Sequence, residues 1–249
     1  MSAFTGKKIV VIGGSRGVGR QVVEAAARSG GRVLSVARDQ AALDALKRDV
    51  PGVQVLALDA SDERAPSRVF EVFQPDVMVL CAGAFPPAAP LHEQTWAQFA
   101  VNWEADVKIA FHFIKAALSQ PLVAGSSVVL VSSGAALGGS PISGGYAGAK
   151  RTQIFIANYA QKESDRLGLG LRFMTLAPRI MPDSDLGRHA VAGYSRYLRM
   201  SEADFVRSMG SAPSPSDVAR AAIELATTAE QHKGKLFVVS GKGLESVTG

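Results

Sequence analysis

A chain of 249 residues that is 47% hydrophobic but only 7% aromatic carries enough aliphatic material for one large core. Its single cysteine excludes an internal disulfide and a cysteine-based metal site, and its formal charge of +5 is scattered rather than gathered into a basic stripe, which argues against a nucleic-acid surface. Met1 to Lys8 is too short and polar to lead a signal peptide and no apolar run approaches a membrane span, so a cytoplasmic protein with no membrane contact is expected.

Along the chain, short aliphatic runs alternate with longer stretches of helical periodicity. A strand is predicted at Ile9–Ile12, then a glycine-rich loop and a helix near 17–29. Strand Val33–Val36 runs into Ala37 and Arg38, and Asp39 is placed to cap a helix at 40–49. Strand Val53–Leu58, a helix at 63–73 and strand Val77–Leu80 follow, with Cys81 read as a buried structural thiol. A helix at 95–119, strand Val128–Val131, a helix at 147–167 and strand Arg172–Leu176 come next. The segment 181–213, rich in aromatics, is expected to form a helical flap over a substrate, before a helix at 216–229 and strand Leu236–Val239.

Continuous β-branched and leucine runs suit strands covered on both faces. Their alternation with helices predicts right-handed crossovers in one α/β domain spanning 1–249: a Rossmann fold with a seven-stranded parallel sheet and helices on both faces. Ligands in such folds bind beyond the carboxyl ends of the strands. The 95–119 and 147–167 helices carry more apolar residues than one stripe needs. They are either wholly internal or they meet another subunit, and the second reading is favoured, as a homodimer or homotetramer.

The loop Gly13-Gly14-Ser15-Arg16-Gly17-Val18-Gly19 stands between the first strand and the first helix. Glycines let backbone approach a pyrophosphate while the helix N-terminus supplies N–H donors, so a dinucleotide site is expected here. At the end of the second strand, where an NAD site places a carboxylate, stand Ala37 and Arg38. Arg38 and Arg16 can bind a ribose 2′-phosphate, which points to NADP(H) as cofactor.

Ser133 follows the fifth strand, and Tyr146 and Lys150 lie one helical turn apart. A nearby ammonium favours the phenolate, so the pair can give a proton to an alkoxide or take one from an alcohol. Ser133 would polarise the substrate oxygen.

Taken together these motifs resemble the short-chain dehydrogenase/reductase family over essentially the whole length. The resemblance aligns Gly13, Gly17 and Gly19 with the family's glycine motif, and Ser133, Tyr146 and Lys150 with its catalytic residues. It implies that Lys150 also binds the nicotinamide ribose, and that Asn102 supports a proton relay. Asp59 and Ala60 would contact adenine, and Ser15, Val18, Ala82, Gly83, Pro178 and Ile180 join the cofactor set. It also implies assembly through the two long helices.

Three departures stand out. Ile12 replaces the usual threonine, Leu80-Cys81-Ala82-Gly83 replaces Asn-Asn-Ala-Gly, and Pro178-Arg179 replaces Pro-Gly. The second removes side-chain hydrogen bonds that fix a loop. The third offers Arg179, with Phe85 and Tyr194, as a substrate contact suited to an anionic group, the alternative being a solvated loop residue. The function expected is an NADP(H)-dependent oxidoreductase acting on a small carbonyl or alcohol, a ketone or keto-thioester reductase. The alternative is a catalytically weak NADP-binding sensor or scaffold.

Overall fold

The computed structural model describes residues 3–247. In chain order its elements begin with β1 (Lys8–Ile12), α1 (Gly17–Arg28), β2 (Arg32–Ala37), α2 (Gln40–Asp49), β3 (Gln54–Ala57), α3 (Ala65–Val72) and β4 (Val77–Leu80). Then come α4 (Trp96–Asn102), a π-helical turn (Trp103–Val107), α5 (Lys108–Ser119), β5 (Ser127–Val131), the short α6 (Ala135–Gly138), α7 (Tyr146–Leu167) and β6 (Arg172–Pro178). The chain closes with α8 (Asp185–Leu198), α9 (Glu202–Ser208), α10 (Pro215–Thr227), α11 (Ala229–His232), β7 (Leu236–Ser240) and β8 (Gly243–Val247).

The strands form one sheet in the order β3-β2-β1-β4-β5-β6-β7-β8, parallel except for the β7–β8 pair. The seven predicted strands are all present. The eighth is an antiparallel edge strand, so the sheet is eight-stranded rather than seven. Every residue of β4 and β5 is buried, as strands covered on both faces require. Alternate side chains feed two cores. Ile9 and Val11 meet Val22 and Ala26 of α1 and Val218, Ala222 and Leu225 of α10. Val10 and Ile12 turn to the other face, with Val69 of α3, Ile109 and Phe113 of α5 and Ala157 of α7.

The single helix expected at 95–119 is three pieces. Its π-turn frees the Asp106 carbonyl, which accepts from Gln153 Nε2 of α7 at 3.0 Å. The 181–213 segment is helical, as α8 and α9. Gly193 lets α8 press on the loop after β4 and on Ile142, since a Cβ there would lie 2.9 Å from Ala88 Cβ and Ile142 Cδ1. Among the described residues no helix is long and apolar enough to cross a membrane, and no three His, Cys, Asp or Glu gather as metal ligands.

Candidate active site

The strand order switches direction between β1 and β4, and a groove of about 1180 Å³ opens beyond their carboxyl ends. At its floor the glycine loop is built for close approach. Gly13 has φ +87°, donates its N–H to Val36 O at 2.7 Å, and would place a Cβ 2.6 Å from Ala82 N. A Cβ on Gly19 would lie 2.1 Å from Gly13 O, so the start of α1 rests directly on the loop. Arg16 precedes α1 in an extended conformation without capping it, and the first turn holds no acidic residue. The leading N–H groups of α1 therefore have no side-chain acceptor, which is what an anion site at a helix start needs.

Ser15, Arg16, Gly17, Val18, Arg38, Asp59, Ala60, Ala82 and Gly83 line this end of the groove. The Arg16 guanidinium lies over the Phe85 ring, 5.4 Å from its centroid. Arg38 is exposed at the end of β2. Asp59 accepts from the backbone and hydroxyl of Ser61, which with Arg38 nearby hold its carboxyl below the usual range. Asp39 accepts from Ala42 N at 3.0 Å and so caps α2, leaving no carboxylate directed at a ribose from Ala37. These residues fit a nicotinamide dinucleotide.

The chemistry-bearing side chains stand on the next wall. Ser132 Oγ donates to Lys150 O at 2.8 Å, pinning the first turns of α7 to the end of β5. Ser133 Oγ accepts from Ala135 N at 3.2 Å, leaving its own proton for a ligand. Tyr146 and Lys150 are both buried, with Lys150 Nζ 5.6 Å from the Tyr146 ring centroid. The ammonium also sits 2.9 Å from Asp106 Oδ1 and donates to Val131 O at 3.3 Å. Burial pulls the lysine down, but Asp106, Tyr146 and Cys81 outweigh it, so Lys150 is held above its ordinary value.

Asn102 is wholly buried rather than on an exposed helix face. Its Nδ2 donates to Ala84 O at 2.8 Å and to Asp106 Oδ2 at 3.1 Å. Asp106 Oδ2 accepts a further bond from Ala84 N at 3.0 Å. The loop after β4 thus loses side-chain anchors at Leu80 and Cys81 but is tied down by Asp106 and Asn102. Cys81 is half-buried rather than fully buried, and desolvation pushes its thiol up to about 12 against the pull of Lys150.

Pro178, Arg179 and Ile180 follow along the groove. Arg179 N donates to Val239 O at 2.9 Å, and its side chain passes Gly134, where a Cβ would lie 3.7 Å from Arg179 Cγ. This lays the stem of Arg179 beside the residue after Ser133. Arg179 is exposed, lines the groove and forms no ion pair among the described residues. Phe85 packs edge-on to His189 of α8 at 5.9 Å, and His189 Nε2 lies 3.0 Å from Pro86 O. Tyr194 stacks on Phe205 at 5.2 Å and donates to Ser140 Oγ at 2.7 Å, so it ties the flap shut as well as lining the groove.

Sequence reasoning missed Asp106 and His189. Asp106 stands four residues after Asn102, the spacing that shares a helix face, and that was the available signal. His189 had none, being one polar residue within a flap.

The family description "short chain dehydrogenase" matches residues 7–195. A relative, the short chain dehydrogenase/reductase AacuD of Aspergillus aculeatus, is 33% identical over 173 residues, covering 66% of this chain and 61% of that protein. The L-xylulose reductase of Homo sapiens is 30% identical over 105 residues, 42% of this chain and 43% of that one. Both matches span less than two thirds of the relative's own length. Among solved structures, a short-chain dehydrogenase/reductase from Brucella melitensis superposes with a TM-score of 0.78 at 22% identity, covering 96% of this chain and 97% of that chain.

Proposed function

This chain belongs to the short-chain dehydrogenase/reductase family, and from that premise we propose that it is a cytoplasmic, NADP(H)-dependent enzyme interconverting a small carbonyl compound and its alcohol, with a ketone or keto-thioester as the carbonyl. The observation that carries this is the sharing of one groove by the glycine loop, Ser133, Tyr146 and Lys150.

The cofactor would lie along Gly13–Gly19, with its 2′-phosphate between Arg16 and Arg38, its adenine against Asp59 and Ala60, and its far end by Ala82, Gly83, Pro178, Ile180 and Lys150. When bound, the nicotinamide supplies or accepts the hydride. Ser133 donates to the substrate oxygen and holds it beside Tyr146. Tyr146 gives its phenolic proton to that oxygen as negative charge develops, and takes it back in the reverse direction. The Lys150 ammonium stabilises the phenolate left behind. Asn102 fixes Ala84 and, through it, the loop beside the reacting groups. Arg179 receives an anionic group of the substrate, α8 and α9 close over it, and Phe85 and Tyr194 complete the walls.

On this reading Ser133, Tyr146 and Lys150 supply the acid–base set, and the human relative is named as a reductase, L-xylulose reductase. The sensor alternative drew its support from the altered Leu80-Cys81 segment. With Asp106 and Asn102 holding that loop, enzyme action is favoured. The NADP(H) assignment is tested by titrating NADPH and NADH into the wild type and Arg38→Ala. Loss of a charge-assisted bond to the 2′-phosphate weakens NADPH roughly tenfold or more while NADH is little changed. Equal loss for both cofactors contradicts the assignment.

A further inference from the structure

Asp106 is a carboxylate with almost no solvent exposure, the one buried residue of a π-turn whose other residues are exposed or half-buried. A buried ion is costly unless each of its oxygens is met. Here three different parts of the chain converge on it: Lys150 from α7, Ala84 N from the loop after β4, and Asn102 from the end of α4. The fold also makes room for it, because a Cβ on Gly83 would lie 2.6 Å from Asp106 Oδ1. The π-turn aims the group inward, and its freed carbonyl is held by Gln153.

We propose that Asp106 is a positioning residue for the catalytic lysine: its carboxylate fixes the Lys150 ammonium between the end of β5 and Tyr146, and supplies the counter-charge that keeps this buried lysine protonated. The proposal rests on the reading of Tyr146 and Lys150 as the acid–base pair. Three titratable groups face the ammonium: Asp106 from the π-turn, Tyr146 from α7 itself, and Cys81 from the end of β4. β5 contributes the Val131 carbonyl. The balance of charge at the phenol is therefore set by a pair, ammonium and carboxylate, rather than by an isolated cation.

Two effects of removing the carboxylate act in the same direction. Without Asp106, burial dominates and Lys150 gives up its proton at lower pH. While still charged, the uncompensated ammonium attracts the phenolate more strongly. The isosteric Asp106→Asn is expected to move the pH–kcat profile toward acid by roughly one unit, and Asp106→Glu to restore it in part.

A second readout needs no turnover. Nitrogen-15 NMR of the Lys150 ammonium in the wild type should show it protonated beyond the ordinary lysine range, near 10.4, with the transition moved to lower pH in Asp106→Asn. A profile and a Lys150 titration unmoved by Asp106→Asn overturn the proposal and leave Asp106 a structural group. If Asp106→Asn does not fold, the wild-type titration decides, and loss of the Lys150 proton below the ordinary range overturns it. Absence of turnover in the wild type counts against the acid–base reading instead, and the titration still judges Asp106.

Discussion

Arg179 stands where the family places glycine, and its consequence is chemical. Its backbone is held by Val239, its stem passes Gly134, and no carboxylate neutralises it among the described residues. An unpaired arginine in the groove that Ser133 also lines suits a carboxylate or phosphate. Arg179→Ala should therefore raise KM for acidic substrates about tenfold or more while leaving neutral carbonyls little changed. Steady-state kinetics on matched acid and ester pairs checks this, and parallel losses on both contradict it. At this scale Ser133, Tyr146, Lys150 and Asn102 could be read from spacing and resemblance, because each follows a strand end or shares a helix face. Asp106 offered only its four-residue spacing from Asn102, which by itself does not mark it as internal. An acidic residue in a helix reads as solvated, and only the π-turn and the folded positions of Lys150 and Ala84 make it internal.

Between residue and molecule lie the long helices. Their excess of apolar residues left two readings open, helices that are wholly internal or helices that meet another subunit, and the exposures speak against the first. Trp96 is 78% exposed, Phe111 50%, Phe155 43% and Tyr159 59%, so these helices are not wholly internal. Phe155 and Tyr159 stack 6.2 Å apart, forming an exposed aromatic ridge on α7. Exposed aromatics in such number fit a subunit interface through α4, α5 and α7. Sedimentation velocity is expected to find a dimer or tetramer that Phe155→Glu with Tyr159→Glu converts to folded monomers. A wild type that is monomeric at micromolar concentration would refute this. The element missed altogether was β8. Gly243–Val247 holds glycine, glutamate and serine among its five residues and carries no aliphatic run, as befits an edge strand with a wet face. Its pairing comes from the turn after β7, a tertiary event that periodicity does not encode.

For the molecule as a whole, the parallel order and its switch between β1 and β4 follow from strands that are apolar on both faces and need helices on each side. That patterning was legible, and with it the position of the groove. What was not legible is how the groove is closed. His189 reaches Pro86, Tyr194 reaches Ser140, and Phe85 bridges Arg16 to α8, all contacts between segments far apart in sequence. The resulting groove is lined by the glycine loop, by Ser133, Tyr146 and Lys150, and by Arg179 with residues of α8.

The measurement that tests this account most directly is NADPH oxidation over a panel of small ketones, keto acids and keto thioesters, with the wild type beside Tyr146→Phe. Loss of a positioned general acid should lower kcat by roughly 10²- to 10⁴-fold while NADPH binding is retained. Turnover by Tyr146→Phe equal to that of the wild type would contradict the assignment of the proton to Tyr146, and with it the hydride chemistry built around that residue.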